Sequence, residues 1–192
     1  MDLVTTLGRV IPFALASGVN LYATVAVLGL CSRYGWVALP EQFQGFGHPV
    51  IIGVALAMYL VEFVADKVPW VDSAWDAVHT VIRPVGGALV AVAALGDASP
   101  AVQAAVALLG GSVAMTAHVS KAGTRAVANT SPEPFSNWVL SFAEDVFAIG
   151  LSYVALQHPY LALLVSIVVL TAMALSASLL FRALRRRLRP SL

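Results

Sequence analysis

The sequence predicts an all-α fold: a polytopic membrane helix bundle of about six transmembrane helices, with one short amphipathic helix. Three observations carry this. Of the 192 residues, 59% are hydrophobic and 11% are charged, with a mean hydropathy of +0.86. A soluble domain has about 45–50% apolar and about 25% charged residues. The apolar residues gather into runs close to the roughly 20 residues that a spanning helix needs. Turn and cap residues punctuate those runs at regular places.

The runs are Val10–Leu30, Pro49–Ala65, Val81–Leu95, Ala101–Val119, Trp138–Leu156 and Tyr160–Phe181. The first follows a start that lacks a basic n-region, because Asp2 stands there, and apolar sequence resumes after Asn20. It reads as a membrane helix and not as a cleaved signal. The pairs His48-Pro49 and His158-Pro159 each place a proline in a first helical turn, where its missing N–H costs nothing. Pro100 does the same for the fourth run, and Ser136 is placed to cap the fifth. The third run carries Arg83, Pro84 and Gly86-Gly87, which predicts a kink or a tilt. The repeated His-Pro also raises the possibility of an internal repeat, with the first two runs matching the last two.

Between the second and third runs, Asp72, Asp76, His79 and Arg83 follow i, i+4, i+7, i+11 and form one polar stripe. Val71, Trp75, Val78 and Ile82 form the opposite stripe, so Asp72–Ile82 predicts an amphipathic helix capped by Asp72 or Ser73. Either it lies on the membrane surface, or it folds inward and lines a cavity.

Orientation follows from Lys and Arg, which stay cytoplasmic. With both termini inside, Arg9, Lys67, Arg83, Lys121, Arg125 and five tail arginines fall on the inner side, and Arg33 alone on the outer. The expected organisation is one transmembrane domain over 1–181 and a basic cytoplasmic tail over 182–192, in a bacterial inner membrane. Cys31 is the sole cysteine, which excludes an internal disulfide and a multi-cysteine metal site.

Ionisable groups inside a membrane are costly and mark function by default. Glu62 and Asp66 share one face of the second run. Glu144 and Asp145 lie about 10–12 Å beyond Asn137 at 1.5 Å per residue, and as neighbours they point about 100° apart. His118, Lys121 and Arg125 share a face of the fourth run, and Asn20 falls near mid-membrane in a stretch of small and polar residues that permits close contact or local unwinding. The expected ion- or solute-binding set is therefore Asn20, Glu62, Asp66, His118, Glu144 and Asp145, with Lys67, Lys121 and Arg125 as charge partners. The alternative is a set of buried pairs, Glu62 with Lys121 or Glu144 with Arg125, that fix helix packing.

The stretches "ASGVNLYATVAVLG", "VEFVADKVPWVDSAWDAVHTVIRPVGGALVA" and "FAEDVFAIG" resemble a family of small bacterial inner-membrane proteins classed as a domain of unknown function, with relatives in plastids. The resemblance implies a six-helix type of membrane protein and carries no site residue onto this chain. "EFVADK" is also similar to the acidic motif of some cation exporters, but it has an extra residue and lacks the glycine.

These residues point first to a transporter or channel for a small solute or a cation, whether proton, sodium or a divalent metal. The alternative is a non-catalytic protein that binds lipid or a protein partner, for which the tail arginines suit anionic headgroups. HExxH, GxSxG and paired cysteines are all missing from the sequence, so an enzyme is not expected. Neither a cofactor nor nucleic acid is expected; membrane lipids and a homo-oligomeric partner are, and the metal, if any, is left open.

Overall fold

A computed structural model describes residues 3–37, 39, 41–130 and 135–187. The described chain is helical throughout: α1 (Leu3–Val19), α2 (Leu21–Tyr34), a 3-10 helix over Glu41–Gly47, α3 (Pro49–Ala65), α4 (Pro69–Leu95), α5 (Pro100–Ala128), α6 (Phe135–Gln157) and α7 (Pro159–Arg187). α4, α5, α6 and the stretch Pro159–Leu179 of α7 are long and apolar enough to cross a membrane; α1, α2 and α3 are shorter apolar helices. The protein is a polytopic membrane helix bundle.

Prolines open four helices: three stand where the sequence predicts, whereas Pro69 starts α4 ahead of Asp72 and Ser73, so neither of these caps it. Pro49, Pro69 and Pro100 sit in first turns, His48 and Ser99 cap α3 and α5 through side-chain acceptors, and α7 begins at Pro159. Ser136 lies inside α6 and not ahead of it. Residues 188–192 of the basic tail lie outside the described part of the chain.

Two boundaries differ from the sequence reading. The amphipathic segment and the third apolar run are one 27-residue helix, α4, that starts at Pro69 and continues through Pro84. Its polar residues Asp72, Asp76, His79 and Arg83 are buried, whereas Trp70, Val78, Val81 and Val85 are exposed. The stripe turns inward, and it is prolonged upward by Gly87, Ala91 and Ala94 along the same buried face. That face packs antiparallel on α5, where Gly87 and Gly110 leave no room for a Cβ against Ala114 and Ala91.

The second difference lies in the first run. It breaks at Asn20, whose backbone is extended (φ −147, ψ 100) and whose side chain caps α2 by accepting from Ala23 N. The break reverses direction. Call the end bearing the α4–α5 and α6–α7 connections the upper end. α1 starts there, with Thr5 donating to the Tyr160 hydroxyl and Gly8 pressed on the Pro159 carbonyl. It descends past Gly87 until Gly18 meets Ala114 and Ala117 of α5. α2 climbs back, with Thr24 beside Ser152 of α6, Gly29 against Ile52 and Ser32 beside Gly47. At 1.5 Å per residue, α1 and α2 are about 25 and 21 Å long, short of the roughly 30 Å hydrocarbon core. They form a re-entrant hairpin with its tip inside the bundle.

The described chain ends consequently sit at opposite ends of the bundle, since α7 runs from Pro159 at the top to Arg187 at the bottom. The expectation of both termini on one side rests on an even number of crossings. The charge count treated the first run as a complete crossing, and the Asn20 reversal removes that crossing. The upper end of the hairpin is filled by Phe13, Phe43 and Phe46, with ring centroids 5.7 and 6.3 Å apart. The two His-Pro pairs open α3 and α7 at this same end.

Candidate functional site

The lower half of the bundle holds a continuous polar network around the hairpin tip. Asn20, Glu62, Asp66, Asp72, Asp76, His79, Arg83, His118, Lys121, Arg125 and Asp145 are all buried. Helical periodicity delivers them. Asp72, Asp76, His79 and Arg83 face inward from α4; His118, Lys121 and Arg125 from α5; Asn137, Ser141 and Asp145 from α6.

Arg83 is the hub. Its Nη2 donates to Glu62 Oε1 at 2.7 Å, and its Nη1 donates to His118 Nδ1 at 2.8 Å. The same Nη1 lies 3.4 Å from Asp76 Oδ1 and 3.5 Å from the Gly18 carbonyl. A guanidinium only donates, so His118 accepts at Nδ1 and is neutral. Thr80 gives its proton to the Asp76 carbonyl, leaving its oxygen to accept from His118 Nε2 at 3.0 Å. His79 donates from Nδ1 to the Trp75 carbonyl, and its Nε2 lies 3.0 Å from the Tyr22 hydroxyl.

Lys121 Nζ is shared by Asp66 at 3.0 Å, Glu62 at 3.3 Å and Glu144 at 3.5 Å. Arg125 meets Asp72 at 3.2 Å, Asp66 at 3.4 Å and Glu144 at 3.8 Å, and donates to the carbonyls of Asp66 and Asn137. Asn129 joins Asp72 to Asn137 at the bottom. Both pairs expected in the packing alternative are therefore present, but as members of one network. Lys67 departs from its expected role. It forms no ion pair among the described residues; its ammonium donates to the Phe63 carbonyl and Ser141 and sits 3.1 Å from the Phe63 ring centre. The aromatic ring one turn earlier and the free carbonyls at the end of α3 take it instead.

Glu144 and Asp145 point apart. Asp145 Oδ1 accepts from Asn20 Nδ2 at 2.9 Å at the hairpin tip. Glu144 turns toward Lys121 and Arg125, with its side chain 14% exposed. The hairpin tip has matched charges at both helix ends: the cation of Arg83 meets the C-terminal carbonyl of α1, and the carboxylate of Asp145 lies at the N-terminus of α2. Six carboxylates (Glu62, Asp66, Asp72, Asp76, Glu144, Asp145) share this region with four cations (Lys67, Arg83, Lys121, Arg125). Glu62 Oε2 and Asp66 Oδ1 are buried with no hydrogen-bond partner. Among the described residues, no three His, Cys, Asp or Glu side chains converge as a metal site would require.

Two openings reach the network. A cavity of about 870 Å³ lies between α5, α6 and α7 and touches Lys121 and Glu144. A cleft of about 230 Å³ between α4 and α5 touches Asp72, Asp76 and Arg125. Sequence reasoning passed over Thr80, Asn129 and Ser141, because a lone hydroxyl or amide on a helix has no spacing signal of its own.

Fold and site together define a polytopic helical membrane protein with a re-entrant hairpin and a buried carboxylate network. The chain belongs to the family described as domain of unknown function DUF4126, whose family model matches residues 7–178. No curated protein and no solved structure matches it.

Proposed function

We propose that the protein is a small transporter of the bacterial inner membrane, and not an enzyme, whose ion-handling centre is the network around Asn20 and Asp145. One observation carries the reading: a helix broken inside the bundle presents its two ends to a buried carboxylate and a buried guanidinium. Broken helices of this kind bind substrate and coupling ions in membrane carriers. The excess of carboxylates over cations favours a positively charged coupling ion, and protons fit a network in which, among the described residues, no metal ligands converge. The aromatic fill above the tip and the two openings beside the lower network support a state in which the network is reached from the lower half. Lys67, Arg182 and Arg185 belong to the bottom, which supports a cytoplasmic lower end and an outer position for the start of α1.

The test is flux in proteoliposomes across protons, sodium and divalent cations. Flux in the wild type, lost in Asp145→Asn with the protein still monodisperse, supports the reading. No flux of any ion, with tightly copurifying lipid, replaces it by a non-catalytic lipid-binding protein.

A further inference from the structure

The 870 Å³ cavity is almost wholly apolar in its walls. Val19 at the end of α1, Ala117 of α5, Phe147 of α6, and Val169 and Met173 of α7 build its deep part; Thr124 and Ala177 lie toward its lower mouth. Its size falls within the roughly 300–1,000 Å³ of sites for drug-sized ligands. Among the described residues, its charged lining groups are Lys121 and Glu144. Lys121 is 2% exposed and lies closer to Asp66 and Glu62 than to Glu144. Arg125 is likewise nearer to Asp72 and Asp66. Glu144 is therefore the third and most distant carboxylate on both of its cations. Its Oε2 is buried against those two cations at 3.5 and 3.8 Å without a hydrogen bond, and among the described residues Glu144 is the one acid that lines the cavity.

We infer that this groove binds an amphiphilic organic cation, an apolar body that carries one positive charge to Glu144. The apolar walls receive the body, and the carboxylate excess supplies the complementary charge. A neutral amphiphile would leave Glu144 facing hydrocarbon, and an anionic one would add to the negative excess. Glu144 faces Lys121 and Arg125 from α5, and Asp66 of α3 across Lys121; the lining residues of α7 and α1 bring no titratable group. Where Glu144 carries a proton, the arriving cation displaces it to water, one positive charge in and one out. Affinity then falls as pH falls.

The inference deepens the transporter reading by naming its substrate class, and binding tests it separately from flux. Tetraphenylphosphonium is titrated into the purified protein beside the neutral triphenylphosphine oxide. Saturable binding of the cation is expected, at least tenfold tighter than the neutral compound and weaker at pH 5 than at pH 8. Glu144→Gln should weaken it at least tenfold, and Ala172→Trp, which fills the groove from an exposed position on α7, should do the same. If Glu144→Gln does not fold, Ala172→Trp decides. Equal binding of the neutral compound, an unchanged affinity in Ala172→Trp, or a dimer crosslinked across the groove overturns the inference. Proton flux without phosphonium binding removes this inference and leaves the transporter; phosphonium binding without any flux does the reverse.

Discussion

Asn20 makes two bonds that belong to different levels of the structure: its Oδ1 accepts from Ala23 N and its Nδ2 donates to Asp145 Oδ1, both at 2.9 Å. The first ends the chain's descent by capping α2. The second fastens the tip of the hairpin to α6. One amide side chain thus sets a local reversal and joins it to the network, because an amide offers an acceptor and a donor at separate corners.

Asn20→Ala should lose both bonds. Removing a cap costs about 1 kcal/mol, and stranding a buried carboxylate without its donor costs about 1–3 kcal/mol more. Asn20→Asp keeps the cap acceptor but sets a second carboxylate against Asp145. Protonation relieves that repulsion, so Asn20→Asp should gain stability relative to wild type as pH falls from 8 to 5, and by more than Asn20→Ala, whose Asp145 loses a donor but meets no second carboxylate. Thermal melts in detergent at both pH values check the difference.

Arg83 holds Glu62, Asp76 and His118 together. Arg83→Met leaves Glu62 with Lys121 alone and should cost about 3–5 kcal/mol, the usual result of breaking a buried pair from one side. The double variant Arg83→Met, Glu62→Gln should recover part of the loss. A double-mutant cycle measured by unfolding shows a positive coupling if the network is as described, and additive losses would contradict it.

Gly18 and Gly150 should respond oppositely to alanine. A Cβ at Gly18 collides with Ala114 and Ala117, whereas nothing lies within 4 Å of one at Gly150. Gly18→Ala should force α1 off α5 and destabilise by about 1–3 kcal/mol, as overpacking does. Gly150→Ala should be neutral or stabilising by up to about 1 kcal/mol from helix propensity. Melting temperatures of the two variants decide.

Topology is open to labelling. In a Cys31→Ser background, cysteines at Thr5, Gln44, Ser99 and Gln157 should all react from one side of the membrane, and one at Ser73 from the other. Reaction of Thr5 together with Ser73 would restore an N-terminus on the C-terminal side and refute the re-entrant hairpin.

Sequence alone determined the helical membrane class, because composition and run length depend only on the solvent that each segment must face. It determined the proline-marked starts of α3, α5 and α7, where a missing N–H has one favourable place. It also determined which faces carry Asp72–Arg83, His118–Arg125 and Glu62–Asp66, because 3.6-residue periodicity fixes faces without reference to neighbours. Which way the α4 stripe turned was a tertiary matter: a polar stripe suits water or other buried charges equally well, and the small residues Gly87 and Ala91 against Gly110 and Ala114 drew it inward. The fate of Lys67 was decided by the Phe63 ring and the open carbonyls beside it. Above all, the reversal at Asn20 needed the fold. An apolar run of crossing length has the same local energetics straight or bent, and only Asp145, Arg83 and the Gly18 contact with α5, all remote in sequence, make the bent form the one that satisfies its polar groups.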